Sequence, residues 1–452
     1  GDHRLSPRLL LVASFLSGLA ALAYETLFFR VLSIMLGDTI FVFAVILIVF
    51  LLGIGLGSAL FTRRADRIEH PESWYILCQG IVGGAILAVI PFLDRLPVVY
   101  LGIVALFERS MPGIHHSWKF VNLVKLIVCG MLLIVPTLHM GAAFPLLGRL
   151  YARSARHLGR DIGEIYHWNT LGGIAGSFLA GFLLLPLVGS RWGLLLTTWV
   201  TFAIALLLLL ALGKRKSALA TAAAIGVFFV AASLSPWDVM RMHGQVFLHY
   251  VDFGSLGGEG KQDPGGQEPR KRGEALPTGE GKTSPATADR TRRFRVLYYD
   301  EGITTTVLVT GDEKDLQIHI GSKVQATTYF DDLINQYLLA HLPMLLHEQP
   351  KRVLVTGLGA GITLGSVARY GSVERIDLVE ISRNVIPAAR RFAAINGDVL
   401  DDPRLRIIIA DGRNYMLATD ETYDVITTDA FDPFQTGTAS FYAVDYFKAS
   451  RA

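Results

Sequence analysis

Long apolar runs fill the first half of the chain, whereas the second half alternates short apolar segments with polar ones. A helix needs about 20 mostly apolar residues to cross about 30 Å of hydrocarbon, because its backbone groups must pair within the segment. Seven stretches reach this length and predict membrane-spanning helices: 9–36, 39–61, 75–93, 120–147, 168–188, 193–212 and 217–234. The run 96–107 is too short to span and predicts an interfacial or re-entrant piece.

The pattern changes near residue 294. Segments within 294–320 alternate apolar and polar positions, which predicts a small antiparallel sheet. Further apolar segments, VLVTG, RIDLVE, RLRIIIA and YDVITT, are separated by helix-like stretches. Such alternation of strands and helices predicts a parallel sheet whose ligands bind beyond the carboxyl ends of the strands.

These patterns divide the chain into three parts. We expect a helical membrane domain over 1–234, a pre-domain strand with a disordered linker over 235–293, and an α/β domain over 294–452. The linker is rich in Gly, Pro and charged residues and has too few apolar residues to form a core. Because the chain stops soon after the last predicted strand, we expect the α/β domain to be truncated at its C-terminus.

Composition narrows the classes of partner. Hydrophobic residues make up 51% of the chain and charged residues 18%, with a formal net charge of +3. Basic residues cluster at the ends of apolar runs, so we expect a lipid bilayer and no nucleic acid as partner. The two cysteines, Cys78 and Cys129, lie in apolar runs, and no zinc-type spacing occurs. We therefore expect structural thiols and no metal.

Three charged residues interrupt the apolar runs: Glu25, Arg30 and Lys125. A charge in lipid is costly, so these side chains are expected to face the interior of the bundle. Two interpretations stay open, namely a structural ion pair among them and a pocket for a substrate or ligand.

The segment VLVTGLGAGIT leads from a predicted strand into three glycines, Gly357, Gly359 and Gly361. Glycine lets the backbone turn tightly and approach a ligand that a Cβ would push away. The next strand ends in Glu380, where an acid suits a ribose diol, and the third ends in Asp411 and Gly412, where a carboxylate can accept from an adenine amine. We predict nucleoside binding, with helix capping by these acids as the alternative.

The chain lacks the phosphate-binding pattern G-x-x-x-x-G-K-[ST]. An S-adenosyl compound is therefore favoured over a dinucleotide. The predicted fold is a multi-span α-helical membrane domain followed by an α/β methyltransferase-like (Rossmann-type) domain with a small N-terminal antiparallel β-sheet.

Two acids, Asp429 and Asp432, follow the last predicted strand. Carboxylates at this position suit a cationic partner, because one can accept a proton from an amine while the other holds a second ammonium group. The alternative is an Asx turn ahead of Pro433.

The stretch from about Arg295 to the end resembles the spermidine/spermine synthase family, the polyamine aminopropyltransferases. The resemblance is carried by VLVTGLGAGIT, LVEIS, LDDPRLRIIIADGRNYM and YDVITTDAFDPF followed by SFY. The apolar half, with YETLFFRVLS, LGIGLGS and PTLHMGAAFPLL, looks like the membrane-embedded branch of that family.

The resemblance implies roles for individual residues. Glu380 would hold the ribose and Asp411 the adenine of decarboxylated S-adenosylmethionine. Asp429 would be the catalytic acid/base residue, and Asp432 would bind the polyamine. Gln325 and Gln336 would be further active-site contacts.

The leading prediction is a membrane-anchored aminopropyltransferase that moves the propylamine group of decarboxylated S-adenosylmethionine to a polyamine such as putrescine. One alternative is an S-adenosylmethionine-dependent methyltransferase, since Ala360 stands where the resemblance implies an aspartate that meets the donor. Asn335 is a second departure, at a position where the resemblance implies a tyrosine. The other alternative is a membrane transporter or sensor with a non-catalytic nucleoside- or polyamine-binding domain. The acceptor amine and the oligomeric state, a homo-oligomer included, stay open.

Basic loops at 62–67, 149–160 and 213–217 set the expected orientation, because positive loops usually stay on the cytoplasmic side. Seven crossings would put the α/β domain on the other side of the membrane. The resemblance implies a cytosolic donor, so we expect a bacterial inner-membrane protein whose soluble domain is cytoplasmic. This location requires 217–234 to lie in the interface instead of crossing.

Overall fold

The computed structural model describes residues 5–65, 67–152, 157–243, 295–312, 315–428 and 438–451. Residues 244–294, which include most of the predicted pre-domain strand and linker, and the predicted site residues Asp429 and Asp432 lie outside the described residues.

The first half is helical, and six helical stretches of the described residues are long and apolar enough to cross a membrane. The predicted short piece at 96–107 is a helix, α4, that continues from a 3₁₀ turn, Ile90–Arg95. The helices are α1 Pro7–Leu36, α2 Ile40–Ala65, α3 Pro71–Val89, α4 Leu96–Glu108, α5 Trp118–Tyr151, α6 Leu158–Leu179, α7 Leu185–Ala211, α8 Arg215–Leu234 and α9 Val239–Met242.

One of the six stretches, Leu158–Ala211, consists of two helical segments, called rods below, that meet at Gly189. Gly189 interrupts it with φ 77° and ψ 167°, which is not a helical conformation. A Cβ on Gly193 would lie 3.5 Å from Leu184 Cβ, although nine residues of straight helix would separate them by about 13 Å. The chain therefore turns back at Gly189, so the predicted spans 168–188 and 193–212 correspond to separate rods. The number of membrane crossings stays a prediction.

Glycines bring α1 and α6 into close parallel contact. A Cβ on Gly172 would lie 1.9 Å from Phe15 O, and one on Gly176 would lie 2.0 Å from Leu19 O. The contact advances by four residues along both helices in the same direction, so the two run parallel. The glycines of 169–181 thus pack helices together at their backbones, as small residues do in membrane bundles.

The basic loops lie at one end of the bundle. A tight turn joins α1 to α2, and Phe41 packs edge to face on Trp118, the first residue of α5. The helices α2 and α5 therefore start at the same end. The part of α7 that follows the turn at Gly189 begins there as well, so the described residues of the three basic loops after α2, α5 and α7 lie at the opposite end.

The helix α8 returns along α7. Arg191, just after the turn at Gly189 in α7, donates to the carbonyls of Ala232 and Ser233 at the end of α8. Trp199 and Phe229 pack with ring centroids 5.1 Å apart farther along the pair. The helix α8 thus runs antiparallel to α7 along the length of the bundle, as a further membrane-spanning helix would, and it does not lie across the end of the bundle.

The described residues of the second half form two four-stranded sheets. The antiparallel sheet has the order β1-β2-β3-β4, and the parallel sheet has the order β7-β6-β5-β8. The fold class predicted from the sequence is confirmed, and the fourth antiparallel strand, which the pattern did not indicate, is added. The strands are β1 Arg295–Glu301, β2 Thr306–Gly311, β3 Leu316–Ile320, β4 Lys323–Thr327, β5 Arg352–Thr356, β6 Arg375–Glu380, β7 Leu405–Ile409 and β8 Val425–Thr428.

Helices cover the parallel sheet, whose central strands are buried. Val353 and Val355 of β5 and Ile376 and Leu378 of β6 are almost fully buried in the core, as expected for a parallel sheet between helices. The helices are α10 Phe330–Leu346, α11 Ile362–Ala368, α12 Val385–Ala389, α13 Ala393–Asn396, α14 Gly412–Ala418 and α15 Val444–Arg451.

The antiparallel sheet meets the end of the bundle that lacks the basic loops. Arg30 Nη2 donates to Ile303 O at 2.6 Å, and Ser190 N donates to Glu301 Oε2 at 2.8 Å. The ion pair of Glu25 with Arg30 or Lys125, one of the two interpretations left open, does not occur among the described residues. Arg30 lies near the end of α1, where the soluble domain offers it a carbonyl and the nearby carboxylate of Glu301.

Candidate active site

A cavity of about 220 Å³ opens at the carboxyl ends of β5, β6 and β7. This is the edge where the sequence predicted a ligand site. Its described lining comprises Asp38, Thr304, Thr305, Ile320, Gln325, Thr356, Gly357, Leu358, Gly359, Val379, Glu380, Ile381, Ser382, Asp411, Gly412, Thr438 and Phe441. The structure thus brings six predicted site residues together in one cavity: Gln325, Gly357, Gly359, Glu380, Asp411 and Gly412.

The glycine loop adopts backbone conformations that favour glycine. Gly357 has φ +88°, Gly359 has φ +50°, and Gly361 has φ +76°. Side chains with a Cβ rarely adopt this left-handed region, which costs about 1 kcal/mol or more. Gly357 and Gly359 line the cavity, whereas Gly361 precedes α11 and is not among the lining residues.

Glu380 joins two loops at the cavity wall. Its Oε2 accepts from Leu358 N and its Oε1 accepts from Ser382 N, both at 2.9 Å. The side chain is only 6% exposed, so these charge-assisted bonds lie in a largely dry environment. Each carboxylate oxygen can accept more than one bond, so the same group that orders the loops can also accept from a diol.

Asp411 precedes α14 and caps it. Its Oδ1 accepts from Asn414 N at 2.8 Å, as in an N-cap. Gly412 packs against the end of β5, because a Cβ there would lie 2.3 Å from Thr356 Cγ2. Helix capping, the alternative reading of this acid, therefore holds for one oxygen of Asp411, while the residue also lines the cavity.

The two predicted glutamines lie in different environments. Gln325 of β4 lines the cavity. Gln336 of α10 is not among the described lining residues, and its Oε1 accepts from Thr363 Oγ1 at 3.0 Å. The side chain of Gln336 thus connects α10 to α11, and its contact with a substrate stays a prediction.

Sequence reasoning missed several lining residues. Leu358, Ile381 and Phe441 give the cavity apolar surface, which suits a purine ring. Their signal was their position directly beside the motifs, within LGAG, EIS and SFY. Thr304 and Thr305 carry no such signal, since they reach the cavity only because the antiparallel sheet packs there.

One lining atom has an unused hydrogen-bonding capacity. Thr356 Oγ1, at the end of β5, is buried and has no hydrogen-bond partner among the described residues. A buried hydroxyl without a partner is costly, so such a group favours a ligand or water that bonds to it. This observation, together with the apolar wall and the two acids at strand ends, fits an adenosyl group.

A further acid of β6, Asp377, has a structural role. Its carboxylate accepts two bonds from Arg375 and one from Tyr423 Oη at 2.7 Å. Burial raises the pKa of Tyr423, and its bonds to Tyr415 and Asp377 raise it further. This acid lies within the strand and is not among the described lining residues of the cavity.

Comparison with known proteins identifies the C-terminal part of the chain. Residues 332–452 match the family model "Spermine/spermidine synthase domain". A polyamine aminopropyltransferase of Serratia proteamaculans is 38% identical over 129 residues, which are 28% of this chain and 45% of the relative. One from Shigella boydii is 38% identical over 152 residues, 33% of this chain and 53% of the relative. The chain thus spans about half the length of these curated relatives.

Solved structures give matches of similar extent. A spermidine synthase in complex with the transition-state analogue AdoDATO is 30% identical, covers 35% of this chain and 54% of its own, and has a TM-score of 0.33. Spermidine synthase from Thermotoga maritima is 32% identical, with 35% and 53% covered and a TM-score of 0.32. Residues 332–452 of this chain thus match a spermine/spermidine synthase domain and are similar to about half of a polyamine aminopropyltransferase.

Proposed function

We propose that the chain is a membrane-anchored aminopropyltransferase, which transfers the propylamine group of decarboxylated S-adenosylmethionine to a polyamine such as putrescine. The amine nitrogen forms a bond to the propyl carbon while the carbon–sulfur bond breaks. The electron pair of that bond returns to sulfur, which leaves as neutral 5′-methylthioadenosine. The attacking nitrogen releases one proton.

The observation that carries this proposal is the cavity at the strand ends. It combines Glu380 and Asp411 with an apolar wall and a glycine loop, an arrangement that suits a nucleoside bearing a positive charge. Among the described lining residues the charged ones are all acidic: Asp38, Glu380 and Asp411. An acidic cavity favours a sulfonium and an ammonium over a phosphate.

The residues divide the task as follows. Glu380 holds the ribose, Asp411 holds the adenine, and the backbone of Gly357 and Gly359 approaches the donor. Asp429 accepts the proton of the attacking amine, and Asp432 holds a second ammonium group of the acceptor. Since the sulfonium already activates the propyl carbon, the protein mainly orients the amine in line with it.

A product assay tests the proposal. The purified full chain in detergent micelles is incubated with putrescine and decarboxylated S-adenosylmethionine, and the products are identified by mass spectrometry. We expect spermidine and methylthioadenosine. A parallel sample with intact S-adenosylmethionine distinguishes the methyltransferase alternative, which would give a methylated amine. Absence of aminopropyl transfer by folded, donor-binding protein would contradict the proposal.

The side of the membrane is a separate question. A cytosolic donor favours a cytoplasmic domain, whereas the position of the domain at the end remote from the basic loops favours the other side. The direction of α8 adds to the second argument. Trypsin added to sealed, inside-out vesicles distinguishes the two, because the basic linker 254–293 is cut only if it faces the cytoplasm. If it is protected there and cut in right-side-out vesicles, the donor must be present in the outer compartment.

A further inference from the structure

The turn between α1 and α2 carries an acid, Asp38, that reaches the soluble domain. The helix α1 ends at Leu36, Gly37 has φ +110°, and Thr39 precedes α2. Asp38 therefore lies at the end of the bundle that meets the antiparallel sheet. It belongs to the helical half by sequence, yet it lines the cavity that also holds Glu380 and Asp411.

The turn that joins β3 to β4 fixes the position of Asp38. Asp38 N donates to Ser322 Oγ at 2.7 Å, and Ser322 is only 1% exposed. A Cβ on Gly321 would lie 2.8 Å from Asp38 Oδ2, and Gly321 has φ +63°. A side chain at position 321 would therefore displace the carboxylate of Asp38 from its position at the cavity wall, and the positive φ there also favours glycine.

Asp38 also lines a second cavity. The second cavity, of about 180 Å³, lies between α1 and the loop 303–306 and shares Asp38, Thr304 and Thr305 with the first. Arg30 lines only the second cavity, where it donates to Ile303 O. The charge of Arg30 still attracts the carboxylate of Asp38, but Arg30 is not among the described lining residues of the first cavity, whose charged residues are all acidic.

We propose that Asp38 binds an ammonium group of the substrate, so that the helical half completes the substrate site of the α/β domain. This inference rests on the proposed function for the identity of the substrate. The ammonium can belong to the propylamine group of the donor or to the acceptor polyamine, since both present the same chemistry to a carboxylate. Asp38 then sets specificity for cationic substrates and takes no part in bond making.

Lys323, at the start of β4, acts on the same carboxylate. Burial lowers the pKa of Lys323, and the negative charge of Asp38 raises it. A carboxylate has about four acceptor positions on two oxygens, so Asp38 can bond to Lys323 and to a ligand together. If Asp38 served only to pair with Lys323 across the two halves, ligand affinity would not depend on either residue.

The test measures ligand affinity by calorimetry on the full chain in detergent micelles. The probes are putrescine, decarboxylated S-adenosylmethionine and methylthioadenosine, which shares the adenosyl group but has no ammonium. For Asp38→Asn we expect about a tenfold weaker affinity for the probe whose ammonium Asp38 holds, because one charge-assisted bond is lost. Affinity for methylthioadenosine should stay within about twofold. The probe that loses affinity in Asp38→Asn, putrescine or the donor, identifies the molecule whose ammonium group Asp38 binds.

Matched variants exclude a general loss of structure. Glu69→Gln removes an exposed acid from the loop between α2 and α3, at the other end of the bundle, and should leave every affinity unchanged. Lys323→Gln removes a cation that competes for Asp38 and should raise the affinity for the same probe. Ser322→Ala removes the hydrogen bond that holds the turn but keeps the carboxylate of Asp38. It should lower the affinity for this probe less than Asp38→Asn does.

Two outcomes would overturn the inference. One is equal affinity of folded Asp38→Asn and unchanged protein for both cationic probes, and the other is that the unchanged protein binds neither of them. Failure of the proposed function looks different, because putrescine or the donor would bind in an Asp38-dependent manner while no aminopropyl product formed.

Discussion

In the helical bundle, Gly172 and Gly176 of α6 have ordinary helical conformations. Because they have no side chain, α1 can pack closely against them. In the α/β domain, Gly357 and Gly361 have positive φ angles and provide a backbone shape. The same residue type thus allows close packing between helices in one half and forms a tightly turned loop beside the cavity in the other. Substitutions should therefore have different effects in the two halves. In the bundle they should lower stability, and in the α/β domain they should weaken ligand binding.

The largest expected effect tests the chemistry of the α/β half. Asp429→Asn removes the proposed proton acceptor and should lower kcat by about 100- to 10,000-fold. Affinity for methylthioadenosine should remain, because that ligand does not use the amine-binding acids. Turnover by mass spectrometry and affinity by calorimetry check this, with Asp420→Asn, an exposed acid of the same domain, as the control. Equal loss of turnover and affinity would contradict the assigned role.

Glu380→Gln should act on binding before chemistry. Two charge-assisted bonds to the diol would be weakened together with the bonds to Leu358 N and Ser382 N, so we expect about 100-fold weaker affinity for methylthioadenosine. Glu374→Gln, in which an exposed acid paired with Lys351 is neutralised, is the matched control. Unchanged affinity in Glu380→Gln would mean that this residue only orders the two loops.

The bundle half is tested by Gly172→Ala. The added Cβ would meet Phe15 O at 1.9 Å, so the helices must separate, at a cost of about 2 kcal/mol in the free energy of unfolding. Gly163→Ala in the same helix meets nothing within 4 Å and should be neutral or stabilising. Thermal unfolding in detergent measures both. If Gly172→Ala weakened methylthioadenosine binding as strongly as Glu380→Gln, the division of tasks between the halves would fail.

The smallest expected effect concerns the contact between the halves. His243 follows α9 and packs against Tyr299 and His319 with ring centroids 6.2 Å and 6.0 Å apart. Burial lowers the pKa of His243 from 6.5 to about 4. The neutral form therefore belongs to the folded state, and the unfolded state takes up the proton first as the pH falls. Stability is fully present above pH 6.5 and declines as the pH falls toward 4.

Between pH 7 and pH 5 this decline should amount to about 1 to 2 kcal/mol. Thermal unfolding midpoints over that range measure it. His243→Phe keeps a ring in the same place and does not titrate, so the variant should lose less stability on acidification than the unchanged protein. Identical pH profiles would show that other groups cause the acid sensitivity.

Local patterns predicted the elements of both halves well, because hydrophobic period and strand ends are properties of short segments. The apolar runs indicated the membrane-length helices, and the strand-end positions of Glu380 and Asp411 brought both residues to one cavity. The same reasoning could not separate Gln325 from Gln336. Both lie in suitable motifs, but only the packing of α10 on α11 decides that Gln336 bonds to Thr363.

The sequence by itself determined most of the helices and strands, that the second sheet is parallel, and which acids end its strands. Only the tertiary structure decided that α6 runs parallel to α1, that Arg30 bonds to the soluble domain, and that Asp38 lines the ligand cavity. The physical reason is distance along the chain: Asp38 and Ser322 are 284 positions apart. Their contact depends on how two independently patterned halves dock, which no local period of polar and apolar residues records.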